Sequence, residues 1–289
     1  MRINGHEIKT TNDAVAKFLF TNQPGEKFSR AYANAVLEDL GFDKITNFKI
    51  KSPVFSPAKY NARTSIFDVK GETSNKDQFN FEIQRQNHAG FCIRLISNCG
   101  LQFTRVKRSR KYKTYPNFIV IALLNFELDI EPKIPEYHDC FCCLSIIKSS
   151  RSLSRKAQIH VLELPKWEKI HEKAIKIEDV QKFTDLDYFM CLFSDKTTYK
   201  ELKVMAAQCS FINEAKQGLE AFVGDPANLA AYEEAQEAER IRADRESFVI
   251  DQAVDDTRRT FIKNLRKMNM SDKDIADAGN MTLEEVQSY

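Results

Sequence analysis

Residues 67–84 read FDVKGETSNKDQFNFEIQ. An apolar run ends on Asp68, and after a polar turn Glu82 and Gln84 follow two residues apart. In a strand, residues two apart share a face, so Glu82 and Gln84 point together. Asp68 lies on a strand face with Ile66 and Lys70. If the two strands pair through the turn at 73–78, Asp68 can lie beside Glu82, depending on register. Two adjacent carboxylates repel unless a cation or proton lies between them. Mg²⁺ takes oxygen ligands, commonly one or two carboxylates with waters and substrate phosphate. The Ile83 carbonyl offers one more oxygen. Such an ion lowers the pKa of a bound water and neutralises phosphate charge. Gln84 could orient that water or a phosphate oxygen, but it cannot act as a base. The same pattern also fits a polar outer face on an edge hairpin, and patterning alone leaves both readings open.

The surrounding elements follow from periodicity. Residues 12–20 and KFSRAYANAVLEDLG, ending at Gly41, have helical spacing. Residues 45–55, 64–72 and 79–86 read as strands, with Asn80, Glu82 and Gln84 opposite Phe79, Phe81 and Ile83. Residues 88–105 return to a helical period through Cys92, Leu95, Ile96, Cys99 and Phe103. Residues 118–126, 139–147 and 157–164 are three further strands. The order predicts a mixed α/β domain, a sheet flanked by helices. From about 166 onward the pattern is helical. It includes a long Ala/Glu/Arg-rich helix over 226–263 and a tail of two short helices with helix-turn-helix-like spacing. In that tail Ser271 is the cap of the first helix and Gly279-Asn280 its stop, and Thr282 with Glu285 forms a capping box. The expected division is a core over 1–167 and a helical region over 168–289.

Charge is uneven. Residues 1–115 carry 20 Lys and Arg against 10 Asp and Glu, although the whole chain has a net charge of only +2. A basic half beside an acidic half suggests a polyanion-binding region. Arg105, Lys107, Arg108, Arg110, Lys111 and Lys113 crowd into nine residues with Tyr112 among them. That run reads as a solvated loop or as a track for nucleic-acid phosphates, contacts that position without reading bases. No apolar run has the roughly 18–20 residues that span a bilayer. The first residues lack an apolar signal core, so a cytoplasmic protein is expected. The seven cysteines suit free thiols. HDCFCC (138–143) reads as a buried strand or, less simply, as part of a zinc site. The nine glycines form no phosphate-cradling loop.

Several motifs, taken in order, resemble one family. IFDVKGE…FNFEIQRQ resembles the Asp…Glu-x-Gln signature of the PD-(D/E)XK nuclease family transposases, the Rpn-like recombination-promoting nucleases. NDAVAKFLF keeps Asp13, Lys17 and Phe20 of the family's first helix, with Ala16 in place of a Phe. YANAVLEDL keeps Asn34 and Leu37. Arg63 precedes the aspartate, and Arg94 follows Glu-x-Gln on a helix. The family's Tyr-Tyr pair is missing, since Leu95, Ile96 and Ser97 follow Arg94. YPNFIVIALLNFEL and LELPKW (162–167) resemble two later motifs.

The resemblance implies a restriction-endonuclease-like mixed sheet with a helical C-terminal region. It further implies a metal-dependent endodeoxyribonuclease of DNA recombination or mobile elements, using Mg²⁺ or Mn²⁺. Asp68 and Glu82 would be the metal ligands, with Gln84 where many relatives of the wider superfamily have Lys. Lys70 or Arg94 would then supply the missing charge, and Glu38 is a candidate acid from the second helix. Asp13 reads better as a helix cap than as a ligand. Glu163 reads as a structural hydrogen-bonding group or a pocket edge. DNA is the expected partner and a homodimer a further expectation, with no membrane association. Two rivals stand: a catalytically weak DNA-binding or assembly protein on the same fold, and an RNA or structure-specific nuclease.

Overall fold

The structure is a computed structural model. It describes residues 1–22, 25–59, 68–87, 90–104, 106, 111–171 and 180–289, and the Glu246 side chain is not described. Two compact units divide between Ala235 and Gln236. The first carries the sheet together with helices well beyond residue 167.

A small hairpin opens the chain, β1 (Arg2–Ile3) and β2 (His6–Glu7). The sequence reading overlooked it, although Asn4-Gly5, both at positive φ, is a strong two-residue turn signal. Helix α1 (Asp13–Thr21) follows. Its cap is Asn12, whose side chain accepts from the Ala14 N–H at 3.0 Å. Asp13 is therefore not the cap but the first helical residue, paired with Lys17 at 3.2 Å. Helix α2 spans Glu26–Asp39.

The main sheet has the order β3-β4-β5-β6-β8-β7. Its strands are β3 (Lys49–Ile50), β4 (Asp68–Glu72), β5 (Gln78–Gln84), β6 (Phe118–Leu124), β7 (His138–Leu144) and β8 (Ser152–Glu163). β5, β6 and β8 run parallel, and β4 and β7 are antiparallel to their neighbours. The strand expected over 45–55 shrinks to two residues. Asn34 captures the backbone before it, accepting from the Ile45 N–H at 2.8 Å and donating to the Ile45 carbonyl at 3.0 Å. β7, expected to be buried, is an edge strand with Phe141, Cys143 and Leu144 exposed.

Two faces of the sheet are covered differently. On one, Phe81 of β5 meets Phe20 of α1 and Tyr32 of α2 at ring separations of 5.2 and 5.7 Å. Helix α4 (Leu164–Ile170) follows β8 and α5 (Asp185–Phe193) comes after it. Phe189 of α5 joins the cluster with its ring 5.1 Å from that of Tyr32. Each buried aromatic contributes about 1.5–3 kcal/mol. On the other face, helix α3 (Phe91–Thr104) lays Phe91, Leu95 and Cys99 against Phe118, Val120, Ala122 and Leu124 of β6. β5 thus has helices over both its surfaces.

Beyond α5 lie α6 (Tyr199–Gln208), α7 (Ser210–Gly224) and the 42-residue α8 (Pro226–Lys267). In the second unit, α9 (Asp272–Gly279) and α10 (Leu283–Gln287) close a small core of Ile262, Ile275, Ala276 and Val286. The caps fall where the residue types placed them. Ser271 accepts from the Asp274 N–H, Asn280 stops α9 in the left-handed region, and Thr282 and Glu285 form the capping box.

Candidate active site

The β4–β5 register sets Asp68 directly opposite Glu82 and Lys70 opposite Asn80. All four lie on the face that α3 covers. The polar face of β5 is therefore no outer surface: Glu82 and Asn80 are each 5% exposed. This removes the edge-hairpin reading.

The Glu82 carboxylate is held from two elements. Its Oε1 accepts from Asn80 Nδ2 at 3.1 Å and from Asn98 Nδ2 of α3 at 2.8 Å. Its Oε2 is 3.6 Å from the Arg94 guanidinium. Arg94 also donates to Gln84 Oε1 at 2.9 Å, and Gln84 Nε2 donates to the Gln86 carbonyl at 3.0 Å. Burial pushes the Glu82 carboxyl up from its ordinary pKa. The Asn98 hydrogen bond and Arg94 pull it down, Asp68 adds to the rise, and Lys70 opposes it.

Asp68 is asymmetric. Its Oδ2 pairs with Lys70 Nζ at 2.8 Å, while its Oδ1 is buried and has no hydrogen-bond partner. Asn80 Oδ1 is in the same condition. Unsatisfied buried acceptors are uncommon in native proteins and point to a missing ion or water. An all-oxygen donor set with two carboxylates fits a hard divalent cation that keeps several waters. Among the described residues no group of three or more His, Cys, Asp or Glu is placed to hold a metal. The available set is thus the carboxylate pair with backbone and amide oxygens. Ile83 follows the last described β4–β5 pair and sits opposite Leu123 of β6.

The remaining sequence-derived residues separate into groups. Arg94 joins the site. Lys111 and Lys113 are exposed just before β6. Arg63, Arg105, Lys107, Arg108 and Arg110 lie outside the described residues. Glu38 is not gathered in, since it pairs with Lys44 at 2.7 Å. Glu163 has both features expected of it: it accepts from the Leu128 N–H at 2.6 Å and pairs with Lys166 at 2.6 Å, and it edges a cavity of about 290 Å³ with Leu128, Val161 and Lys166. HDCFCC is strand β7. There His138 Nδ1 meets Asp39 at 2.6 Å and His138 Nε2 meets His160 Nδ1 at 3.1 Å. Burial and neighbouring His138 hold His160 down at about 3.

Asn98 and the amide of Asn80 are the members sequence reasoning missed. Arg94 and Asn98 stand four apart on α3, one face of a helix, and that spacing was the available signal. Beside the pair, a cleft of about 280 Å³ is lined by Lys51, Lys70, Asn80, Gln102 and Phe118, among others.

A helix-flanked mixed sheet that sets an Asp and a Glu side by side on adjacent strands defines a PD-(D/E)XK-type nuclease fold. The family model described as PD-(D/E)XK nuclease family transposase matches residues 10–252, and the chain belongs to that family. Comparison with curated proteins and with solved structures finds no match. The family is one of nucleases linked to mobile elements.

Proposed function

We propose that the chain is a Mg²⁺-dependent DNA endonuclease that hydrolyses phosphodiester bonds in recombination or transposon-type mobility. One observation carries this reading: Asp68 faces Glu82 across the β4–β5 pair with a buried, unpartnered Oδ1. Asp68, Glu82 and the Ile83 carbonyl would hold Mg²⁺ or Mn²⁺. When bound, the ion supplies an activated water and neutralises phosphate charge. The chain's own groups do the rest. Asn80 and Asn98 fix the Glu82 carboxylate, and Arg94 holds Gln84 in place. Lys70 and Arg94 bring the positive charge that Gln84 lacks. Glu38 is left out of this set.

Lys111 and Lys113, with Arg63, Arg105, Lys107, Arg108 and Arg110, would bind DNA phosphates. The core over 1–167 would cut, and the helical region from 168 would serve self-association or DNA holding. A cytoplasmic homodimer is part of the same proposal. Among the described residues no helix is long and apolar enough to cross a membrane.

Gln84, already engaged by Arg94, favours the second reading of a DNA binder with weak or no cutting. Plasmid nicking with Mg²⁺ by wild type, Asp68→Ala and Glu82→Ala decides between them. Loss of cutting with DNA binding retained supports the nuclease, and activity surviving both changes overturns the site. Single-stranded DNA and RNA in the same assay identify the substrate.

A further inference from the structure

Strand β8 is longer than the sheet around it. β6 pairs with it only over Ala157–Glu163, whereas β7 follows it back to Ser152 through Cys143↔Ser154 and Leu144↔Ser152. The β7–β8 hairpin therefore leaves the sheet as a two-stranded ribbon. Its loop is closed by the Ser145 N–H donating to the Arg151 carbonyl at 2.9 Å and the Arg151 N–H to the Lys148 carbonyl at 2.9 Å. Ile146 and Ile147 at the tip are fully exposed, and Leu153 nearly so. Clustered exposed aliphatics of this kind mark an interaction surface.

Cations surround them. Lys148, Arg151 and Arg155 are exposed, and none forms an ion pair with a described carboxylate. Residues 140–156 contain no Asp or Glu. Lys156 Nζ donates to the Tyr115 carbonyl at 2.5 Å, fastening the ribbon's base to the segment that bears Lys111 and Lys113.

The ribbon also has a direction. The parallel register aligns Glu82 with Ala122 and Val161, and Gln78 with Phe118 and Ala157. The ribbon leaves from the Gln78 end, the end to which the cleft beside Lys70 extends. Ser152 lies nine residues before Val161 along β8. At about 3.3 Å each that is about 30 Å, or roughly nine base pairs of duplex.

We infer that the 144–153 hairpin is a minor-groove wedge for duplex DNA. Ile146 and Ile147 enter between base steps and kink the duplex, and Lys148, Arg151 and Arg155 hold the flanking phosphates, about one helical turn from the cut. Apolar wedges flanked by cations bend DNA in this way. The inference rests on the nuclease reading of the Asp68–Glu82 site. The unopposed positive charge of the ribbon, at the sheet end toward which the cleft extends, favours DNA over a lipid surface or a second copy of the chain.

The test uses full-length Asp68→Ala protein, so that binding and bending are read without cutting. A duplex of roughly 40 base pairs, about four helical turns, carries a donor and an acceptor dye at its ends. Addition of the protein should raise energy transfer. Adding Ile146→Ala with Ile147→Ala should weaken binding about tenfold and abolish the rise. Adding Arg151→Ala with Arg155→Ala should lower the salt-dependence slope by about 2. Tryptophan-monitored melting should match the parent, since the changed side chains face solvent.

Ribbon variants that bind and bend like the parent overturn the inference. So does ribbon-dependent pelleting with phosphatidylserine vesicles, or a ribbon-dependent dimer in sedimentation, when DNA binding is unaffected. The two readings fail separately. Wild type that bends DNA but never cuts it refutes the nuclease and supports the wedge. Wild type that cuts, with ribbon variants that bend normally, refutes the wedge alone.

Discussion

Glu82→Gln should make the metal-free protein more stable while abolishing its response to magnesium. Glu82 faces Asp68 on the neighbouring strand, and such pairs have Cβ atoms about 4.5–5.5 Å apart. Two unit charges about 5 Å apart repel by about 3 kcal/mol at an effective dielectric near 20. Lys70 and Arg94 offset part of this, leaving roughly 1–2 kcal/mol to be relieved. Glutamine keeps an oxygen for Asn80 and Asn98. At about 2–4 °C per kcal/mol for a unit of this size, the metal-free Tm rises roughly 2–8 °C. The pH dependence has a definite sign. Burial raises the folded pKa of Glu82 above its ordinary range. The stability of the protonated form is therefore full below that range and lost as pH rises through the raised value. Wild type loses it as the carboxyl ionises, so its deficit against the variant closes on acidification.

Magnesium acts oppositely on wild type. At a hundred times its Kd, an ion bound only by the native state adds about 2.7 kcal/mol, or roughly 5–10 °C. Trp167 is the one tryptophan and is buried in the first unit, so its fluorescence follows the relevant transition. Equal magnesium shifts in both proteins would refute the reasoning. So would a glutamine variant less stable than wild type at neutral pH without metal.

Asn98→Ala removes the 2.8 Å donor to Glu82, and nicking rates should fall about 10–100-fold, as when outer partners of metal ligands are lost. Arg94→Ala deletes a charge that pulls the Glu82 pKa down, so the acidic limb of the pH–rate profile should move to higher pH. Gly71→Ala would drive a Cβ into the Phe48 ring, and urea melts should show a loss of about 1–3 kcal/mol.

The shared face of Glu82 and Gln84 could be read because alternation through Phe79–Gln84 fixes faces, whereas the register that sets Asp68 opposite Glu82 stayed open until the strands were seen paired. The tail helices were legible for a similar reason, since Ser271 and Thr282 carry local capping chemistry that needs no tertiary contact. The sequence could not reveal that the polar face of β5 is interior, because that depends on where α3 docks. A strand bearing Asn80, Glu82 and Gln84 looks solvated until Phe91, Leu95 and Cys99 anchor a helix above it. The shortened β3 was hidden likewise, because Asn34 lies eleven residues before the backbone it captures. The overhang of β8 depends on which strands end early, a property of neighbours and not of its own residues.

The placement of β5 between two helical layers has an evolutionary corollary. An acid sealed in the interior opposite another acid is a burden on the resting fold. Mutation alone would steadily exchange it for an amide or an aliphatic group. A copy of this gene released from selection for chemistry should therefore drift toward a sturdier, inert protein, with position 82 among the first to change. Deep mutational scanning for abundance alone should recover that drift as enrichment of uncharged residues there.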